Sequence, residues 1–387
     1  DVNPTVLGPA PLLQKLDRIV IANVNFTEVP LNQAVNTLSA ISEDFDNTGL
    51  IVGNKNDKVN GIIICLDATK EVVQEAIDSN SNLIISFHPI IFNGLKQLSP
   101  GNYVNDSIIL AIKNNISIFA IHTALDNSNM GVSMKLCDVL GVSDKKVLIP
   151  KTKTIKKLTT YIPKDDSAEL KNKLFGIGAG SIGKYDNCSF SFEGEGSFKG
   201  NKSSNPTIGN KLKDTIQDEA CINITFLKHL EEKVLSVLKE VHPYEEIAYE
   251  IKTLENVNEN IGMGMYGELK EALSENDFFK LIKNKLNIKF LKHSKLMNKS
   301  IKRVAVLGGS GSFGIEKAIS VNADAYLSAD LKYHDYFKAD NSILLVDVGH
   351  YESEQFTKNL LYDILTKKFP NFAIALTKTN TNPVKYS

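Results

Sequence analysis

The sequence predicts an α/β protein whose core is split by an inserted α+β domain. Two observations carry that expectation. Short β-rich runs alternate with helical stretches from about Leu31 to Leu148, and the same rhythm returns after Gly267. Between them lies a stretch of different character, with glycine-rich turns and short alternating strands. Strands alternating with helices imply a mainly parallel sheet covered on both faces. A block that interrupts such a pattern and lets it resume is an insertion.

In the first part, Gly61 to Leu66 reads as a strand. Thr69 to Asn80 has helical spacing, with Val72, Val73 and Ala76 on one face. Asn82 to Ser86 predicts a strand, Asp106 to Asn114 a helix and Ile116 to Ile121 a strand. Ser133 to Leu140 predicts a helix stopped by Gly141. Residues 15–150 thus form the first part of the core. Lys151 to Thr154 reads as a linker. Lys156 to Pro163, a helix from Ser167, short strands from Gly176 to Lys199, a helix from His229 to Val241 and a strand from Ile247 to Leu254 follow. This is a ferredoxin-like β-α-β-β-α-β order, and the insert is placed at residues 152–266. In the last part, 267–387, Ser274 to Leu286, Glu316 to Val321 and Ser353 to Lys367 predict helices. Ile301 to Leu307, Ala325 to Ser328 and Ile343 to Val348 predict strands.

A chain of 387 residues with 42% hydrophobic and 23% charged residues is an ordinary globular composition. The formal net charge is −1, and the arginines are Arg18 and Arg303 alone. Recognition of nucleic acid through arginine forks is therefore not expected. No apolar run reaches the length of a membrane span. The four cysteines form no Cys-x-x-Cys pair, and a reducing cytoplasm is the expected compartment. The opening residues have no basic stretch followed by an apolar one, so no secretory signal is expected. The chain opens at Asp1, which leaves room for a trimmed leader.

Histidine and carboxylate recur four apart at the ends of apolar runs: His350 and Glu354, His122 and Asp126, and Asp330 and His334. On a helix that spacing puts both groups on one side, a turn apart. His88 follows another apolar run. A single such histidine is most simply a helix cap or a polar gap-filler. The whole set at strand ends suggests a metal site assembled from distant parts of one sheet. Imidazoles with two or three carboxylates can hold two divalent ions and acidify a water between them.

Gly309, Gly311 and Gly314 match G-x-G-x-x-G between a strand and a helix. Amides of Gly309 and Gly311 would orient an anionic group, or the loop is a tight turn. A second match, from Gly178 to Gly183, leads into a strand-like run and reads as a turn. His242-Pro243-Tyr244-Glu245-Glu246 is either a ligand site or a rigid loop entering the strand at Ile247.

Taken together, Phe45-Asp46-Asn47-Thr48-Gly49-Leu50, His88-Pro89-Ile90-Ile91-Phe92, His122 to Asp126, His242 to Glu246, Gly308-Gly309-Ser310-Gly311 and Gly349 to Glu354 resemble the Nif-three-like family (NGG-one-interacting factor three), also labelled GTP cyclohydrolase one type two homologues. The resemblance implies an α/β core with a dinuclear metal centre, a PII/CutA-like insert and a toroidal homohexamer. It implies His88, Asp126, His350 and Glu354 as ligands, with His122 close by. It departs at position 87, where a second histidine is usual and this chain has Phe87. The expected cofactor is zinc or iron, one or two per chain. The expected activity is hydrolysis of a small, nucleotide-like substrate, with Glu352 or His334 moving protons. The alternative is a non-catalytic metal-binding regulator or scaffold whose insert senses a ligand.

Overall fold

Alternate residues of one strand enter different apolar clusters, and this defines the layers. In the computed structural model, which describes residues 41–43 and 45–386, Ile62 and Ile64 join one cluster while Ile63 and Cys65 join another. Val304 and Val306 likewise face away from Ala305 and Leu307. Strands buried on both faces need unbroken apolar runs, which is why Ile62-Ile63-Ile64-Cys65 shows no alternation of polarity.

The core comprises the described residues up to Lys151 together with those from Glu259 onward, and it contains two sheets. The first takes β1 (Gly49–Val52), β2 (Ile62–Cys65), β3 (Leu83–Ser86), β4 (Ser117–Ala120) and β15 (Ile374–Leu376), in the order β1-β4-β3-β2-β15. β15, β2, β3 and β4 are parallel, and β1 is antiparallel to β4. The second takes β5 (Val142–Lys151), β10 (Asn258–Ser274), β11 (Lys292–His293), β12 (Ser300–Ser310), β13 (Ala325–Ala329) and β14 (Leu344–Asp347), in the order β11-β14-β13-β12-β10-β5. Here β12, β13 and β14 are parallel. The expectation of one sheet is therefore corrected to two. Periodicity identifies a strand but not its neighbour, and the last strand, β15, returns to the first sheet rather than extending the second.

Thr152–Asn258 is the other compact unit. It contains β6 (Ile155–Pro163), β7 (Phe190–Lys199), β8 (Asp214–Leu227) and β9 (Tyr249–Leu254), in the order β7-β8-β6-β9 and antiparallel throughout. The helices Ser167–Gly176 and Glu231–Val241 cover one face through Leu170, Leu174, Val234 and Leu238. His242 lies in this unit, where its Nε2 meets the Tyr161 carbonyl at 2.9 Å. That contact ties down the loop before β9.

The sequence placed residues 259–266 in the insert, but they run within β10 of the core. Gly262 and Gly264 make this stretch look like a turn. They are required instead by close approach: a Cβ on Gly262 would lie 2.1 Å from the Ile149 carbonyl oxygen. Expectations for residues 15–40 lie outside the described residues. Among those described, no helix is long and apolar enough to cross a membrane.

β5 leads into the compact unit, β10 leads out, and the two are neighbours in one sheet. Replacing residues 152–258 with a short flexible linker should therefore leave a soluble core with cooperative thermal unfolding. Circular dichroism and a melting curve check this. An aggregated or non-cooperative product would show that the insert is required for the core to fold.

Candidate metal centre

Five strand ends supply the site. His88 lies two residues past β3, with its N–H bonded to the Leu66 carbonyl at 2.9 Å. His122 lies two residues past β4, and its N–H reaches the Phe87 carbonyl at 2.8 Å. His122 opens the short helix His122–Asp126 with φ of +30°, a conformation that non-glycine residues adopt only under local constraint. After β14, Gly349 turns the chain with φ of +94°, and the helix His350–Glu354 begins. Asp67 and Asp330 follow β2 and β13.

Two imidazoles and one carboxylate converge. His88 Nε2 and His350 Nε2 are 3.4 Å apart. Glu354 Oε2 is 3.1 Å from the first and 3.2 Å from the second. A point about 2 Å from all three atoms lies just off the plane of this triangle, a distance at which a metal ion could be held. Glu354 is only 4% exposed, yet its Oε2 makes no contact with hydrogen-bond geometry. A buried carboxylate oxygen without a hydrogen bond, facing two imidazole nitrogens, is a donor set suited to a cation.

The other nitrogen of each imidazole is held by a carboxylate. His88 Nδ1 lies 2.9 Å from Asp67 Oδ1, and His350 Nδ1 lies 2.7 Å from Asp330 Oδ2. His122 Nδ1 lies 2.6 Å from Asp46 Oδ1. A carboxylate on Nδ1 fixes the ring and directs the Nε2 lone pair at a metal. Asp330 also accepts from the Ser310 hydroxyl, and Asp46 from the Thr123 hydroxyl and N–H.

Charge follows from this geometry. Burial would lower the His88 pKa, but the Asp67 and Glu354 carboxylates raise it to about 10. Glu354 raises His350 to about 9 against burial, with help from Asp330. Burial would raise Glu354, but the two imidazoles pull it to about 2. Without a cation, protons on the histidines balance the buried carboxylate, and a metal would replace them. Asp126 is pushed well above the usual carboxylate range by burial and then by the Glu354 charge, which places it electrostatically beside the cluster. The His122 ring centroid is 5.4 Å from that of His88.

Phe87 is fully buried in the apolar core, although β3 does end before it at Ser86. Its ring centroid is 4.9 Å from that of His88 and 5.7 Å from that of His122. It therefore forms the apolar floor of the site.

Four of the expected site residues, Glu352, His334, Gly309 and Gly311, are not among the converging donors. Glu352 is turned away from the triangle, since it lies two positions after His350 on a one-turn helix. Its Oε1 accepts from Asn382 Nδ2 at 3.0 Å. His334 is exposed, with its ring against Tyr333 and Phe337. It does not pair with Asp330, because Asp330 has φ of +57° and no helix carries the spacing from 330 to 334. Gly309 and Gly311 do not present free amides to an anion. The Gly309 N–H donates to Ser353 Oγ at 2.9 Å, and the Gly311 N–H to the Ala329 carbonyl at 3.4 Å. Gly309 is needed because a Cβ there would lie 2.3 Å from Glu354 Oε1, at φ of +69°.

Sequence reasoning assigned no role to Asp46 or Asp67. Asp46 sits in the Phe45 to Leu50 motif, and Asp67 sits just past an apolar strand, which was the available signal.

The Duf34/NIF3 (NGG1p interacting factor 3) family model matches residues 29–383. A "GTP cyclohydrolase 1 type 2 homolog" of Staphylococcus aureus is 34% identical over 352 residues, covering 89% of this chain and 95% of that protein. The protein of the same name from Bacillus subtilis is 34% identical over 356 residues, covering 90% and 94%. A crystal structure of a Bacillus cereus protein related to NIF3 is 30% identical with a TM-score of 0.77, covering 97% of this chain and 98% of that one. The chain belongs to the Duf34/NIF3 family.

Proposed function

We propose that this protein is a metal-dependent hydrolase acting on a small nucleotide-like molecule. The supporting observation is the triangle of His88 Nε2, His350 Nε2 and Glu354 Oε2, with a carboxylate behind each imidazole. His88, His350 and Glu354 would hold a divalent metal, and Asp126 would complete the set. Such an ion acts as a Lewis acid, polarising a substrate oxygen and making a water more acidic. Asp67 and Asp330 keep the imidazoles oriented and accept their Nδ1 protons. Phe92, 47% exposed, stands next to His122 with ring centroids 6.0 Å apart, and Phe45, 68% exposed, lies against Phe92 at 6.5 Å. They offer apolar ring surface on which a base could stack. The name carried by the relatives, GTP cyclohydrolase 1 type 2 homolog, makes GTP the first nucleotide to assay.

Phe87 favours a second reading, a metal-binding regulator without turnover. A phenyl ring has no lone pair, and Phe87 packs against both His88 and His122, where a further donor would serve a second ion. Hydrolysis of GTP or a related nucleotide, lost with a chelator and restored by zinc or iron, supports the hydrolase. Metal binding with no turnover of any nucleotide supports the regulator.

His350→Ala should lower retained zinc on the order of tenfold or more while the protein stays folded. Metal analysis after gel filtration checks this, and equal loading of both proteins would remove His350 from the ligand set.

Phe87→His should raise metal stoichiometry above that of the unmodified chain, because it adds a donor beside His88 and His122. Two tightly held metals in the unmodified chain, with no gain in the variant, would contradict this role for position 87.

A further inference from the structure

The chain segment after β15 touches both halves of the metal centre. Thr377 N–H bonds to the Ile64 carbonyl at 2.9 Å. Glu75, on the helix Lys70–Asp78, then collects the Thr377 hydroxyl at 2.5 Å, the Lys378 N–H at 2.8 Å and the Thr379 hydroxyl at 3.1 Å. The next contacts are made by two consecutive residues. Thr381 Oγ1 donates to Asp67 Oδ2 at 2.8 Å, and Asp67 Oδ1 is the oxygen that holds His88 Nδ1. Asn382 Nδ2 donates to Glu352 Oε1 at 3.0 Å, on the helix that carries His350 and Glu354. The Asn382 side chain is itself fixed, since its Oδ1 accepts the Val384 N–H at 3.0 Å.

We propose that Thr381 and Asn382 form a clasp that positions the metal ligands. The inference rests on the metal reading above. His88 follows a strand of the first sheet, and His350 and Glu354 follow a strand of the second. The donor triangle therefore spans two sheets, and its size depends on how firmly they are held together at that point. Neighbouring Cα atoms are about 3.8 Å apart, so Thr381 and Asn382 tie the two ligand-bearing elements across one peptide unit. The Thr381 hydroxyl leaves the Asp67 carboxylate one orientation, with one oxygen on the hydroxyl and the other on His88. Glu352, which does not reach the triangle, serves as the handle by which Asn382 holds the ligand helix.

The test uses the full chain and zinc, with affinity read by competition against a chromophoric chelator. Thr381→Val keeps the shape and removes the donor, and it should weaken zinc binding on the order of tenfold. Thr381→Ser keeps the donor and should bind as the unmodified chain does. With cobalt(II) in place of zinc, the visible absorption bands should shift in the valine variant and not in the serine variant. In an Asp67→Asn background, Thr381→Val should add nothing, because the hydroxyl acts through that carboxylate. Melting of the metal-free proteins separates ligand positioning from general loss of stability.

Unchanged affinity and cobalt spectrum in Thr381→Val, with zinc binding still abolished in His350→Ala, would overturn the clasp and leave the metal centre standing. Equal losses in the valine and serine variants would also overturn it. An unmodified chain that binds no zinc or cobalt would overturn the metal reading itself, and the clasp with it.

Discussion

Glu354 is a carboxylate placed almost out of reach of water, and the surrounding structure answers that constraint. Burying an isolated carboxylate costs several kcal/mol unless positive charge or strong hydrogen bonds accompany it. Two imidazoles accompany it, one from each core sheet. Its other oxygen lies so close to the chain at Gly309 that only glycine fits there. Its helix begins at Gly349, whose positive φ turns the strand end sharply enough to bring His350 and Glu354 to the same side. Each of these features would be a cost in a protein that merely needed a core. Together they assemble a group of donors that could hold a cation.

The second layer gives the site its direction. A histidine with both nitrogens free is ambiguous as a donor. Here Asp67 and Asp330 take the Nδ1 side, which leaves Nε2 facing Nε2 at 3.4 Å. Glu354 Oε2 lies within 3.2 Å of both Nε2 atoms, so it can balance their protons, and a cation at that point would take the place of those protons. His122 repeats the arrangement with Asp46 but stays outside the triangle. The pairing of carboxylate and imidazole thus recurs at three strand ends, and Phe87 packs against two of the rings.

Much of this was legible in the sequence, for identifiable reasons. His350 and Glu354 were readable because a four-residue spacing after an apolar run has a direct geometric meaning. His88 was readable because it follows a run that must be a buried strand, and the same signal put His122 at a strand end without bringing it into the triangle. The six elements of the insert were readable from their alternation, and their observed order, β7-β8-β6-β9, is the one that rhythm implies. Asp46 and Asp67 were not assigned, since a single aspartate in a loop carries no periodicity and its partner is far away in the chain. The same spacing rule that succeeded at 350–354 failed at 330–334, where a left-handed aspartate breaks the helix geometry on which the rule depends. Glu352 stands apart for a related reason: a charged residue inside a ligand motif invites a chemical role, but two positions along a helix point it away from the triangle. The division of the core into two sheets was invisible because pairing is a long-range property.

The central claim is that His88, His350 and Glu354 hold one cation between the two sheets. Diffraction from crystals of the zinc-loaded protein, with data on both sides of the zinc absorption edge, tests it most directly. The account predicts a strong anomalous peak about 2 Å from His88 Nε2, His350 Nε2 and Glu354 Oε2. No peak at that point, or the main peak bound by other residues with these three side chains left without a metal, would contradict it.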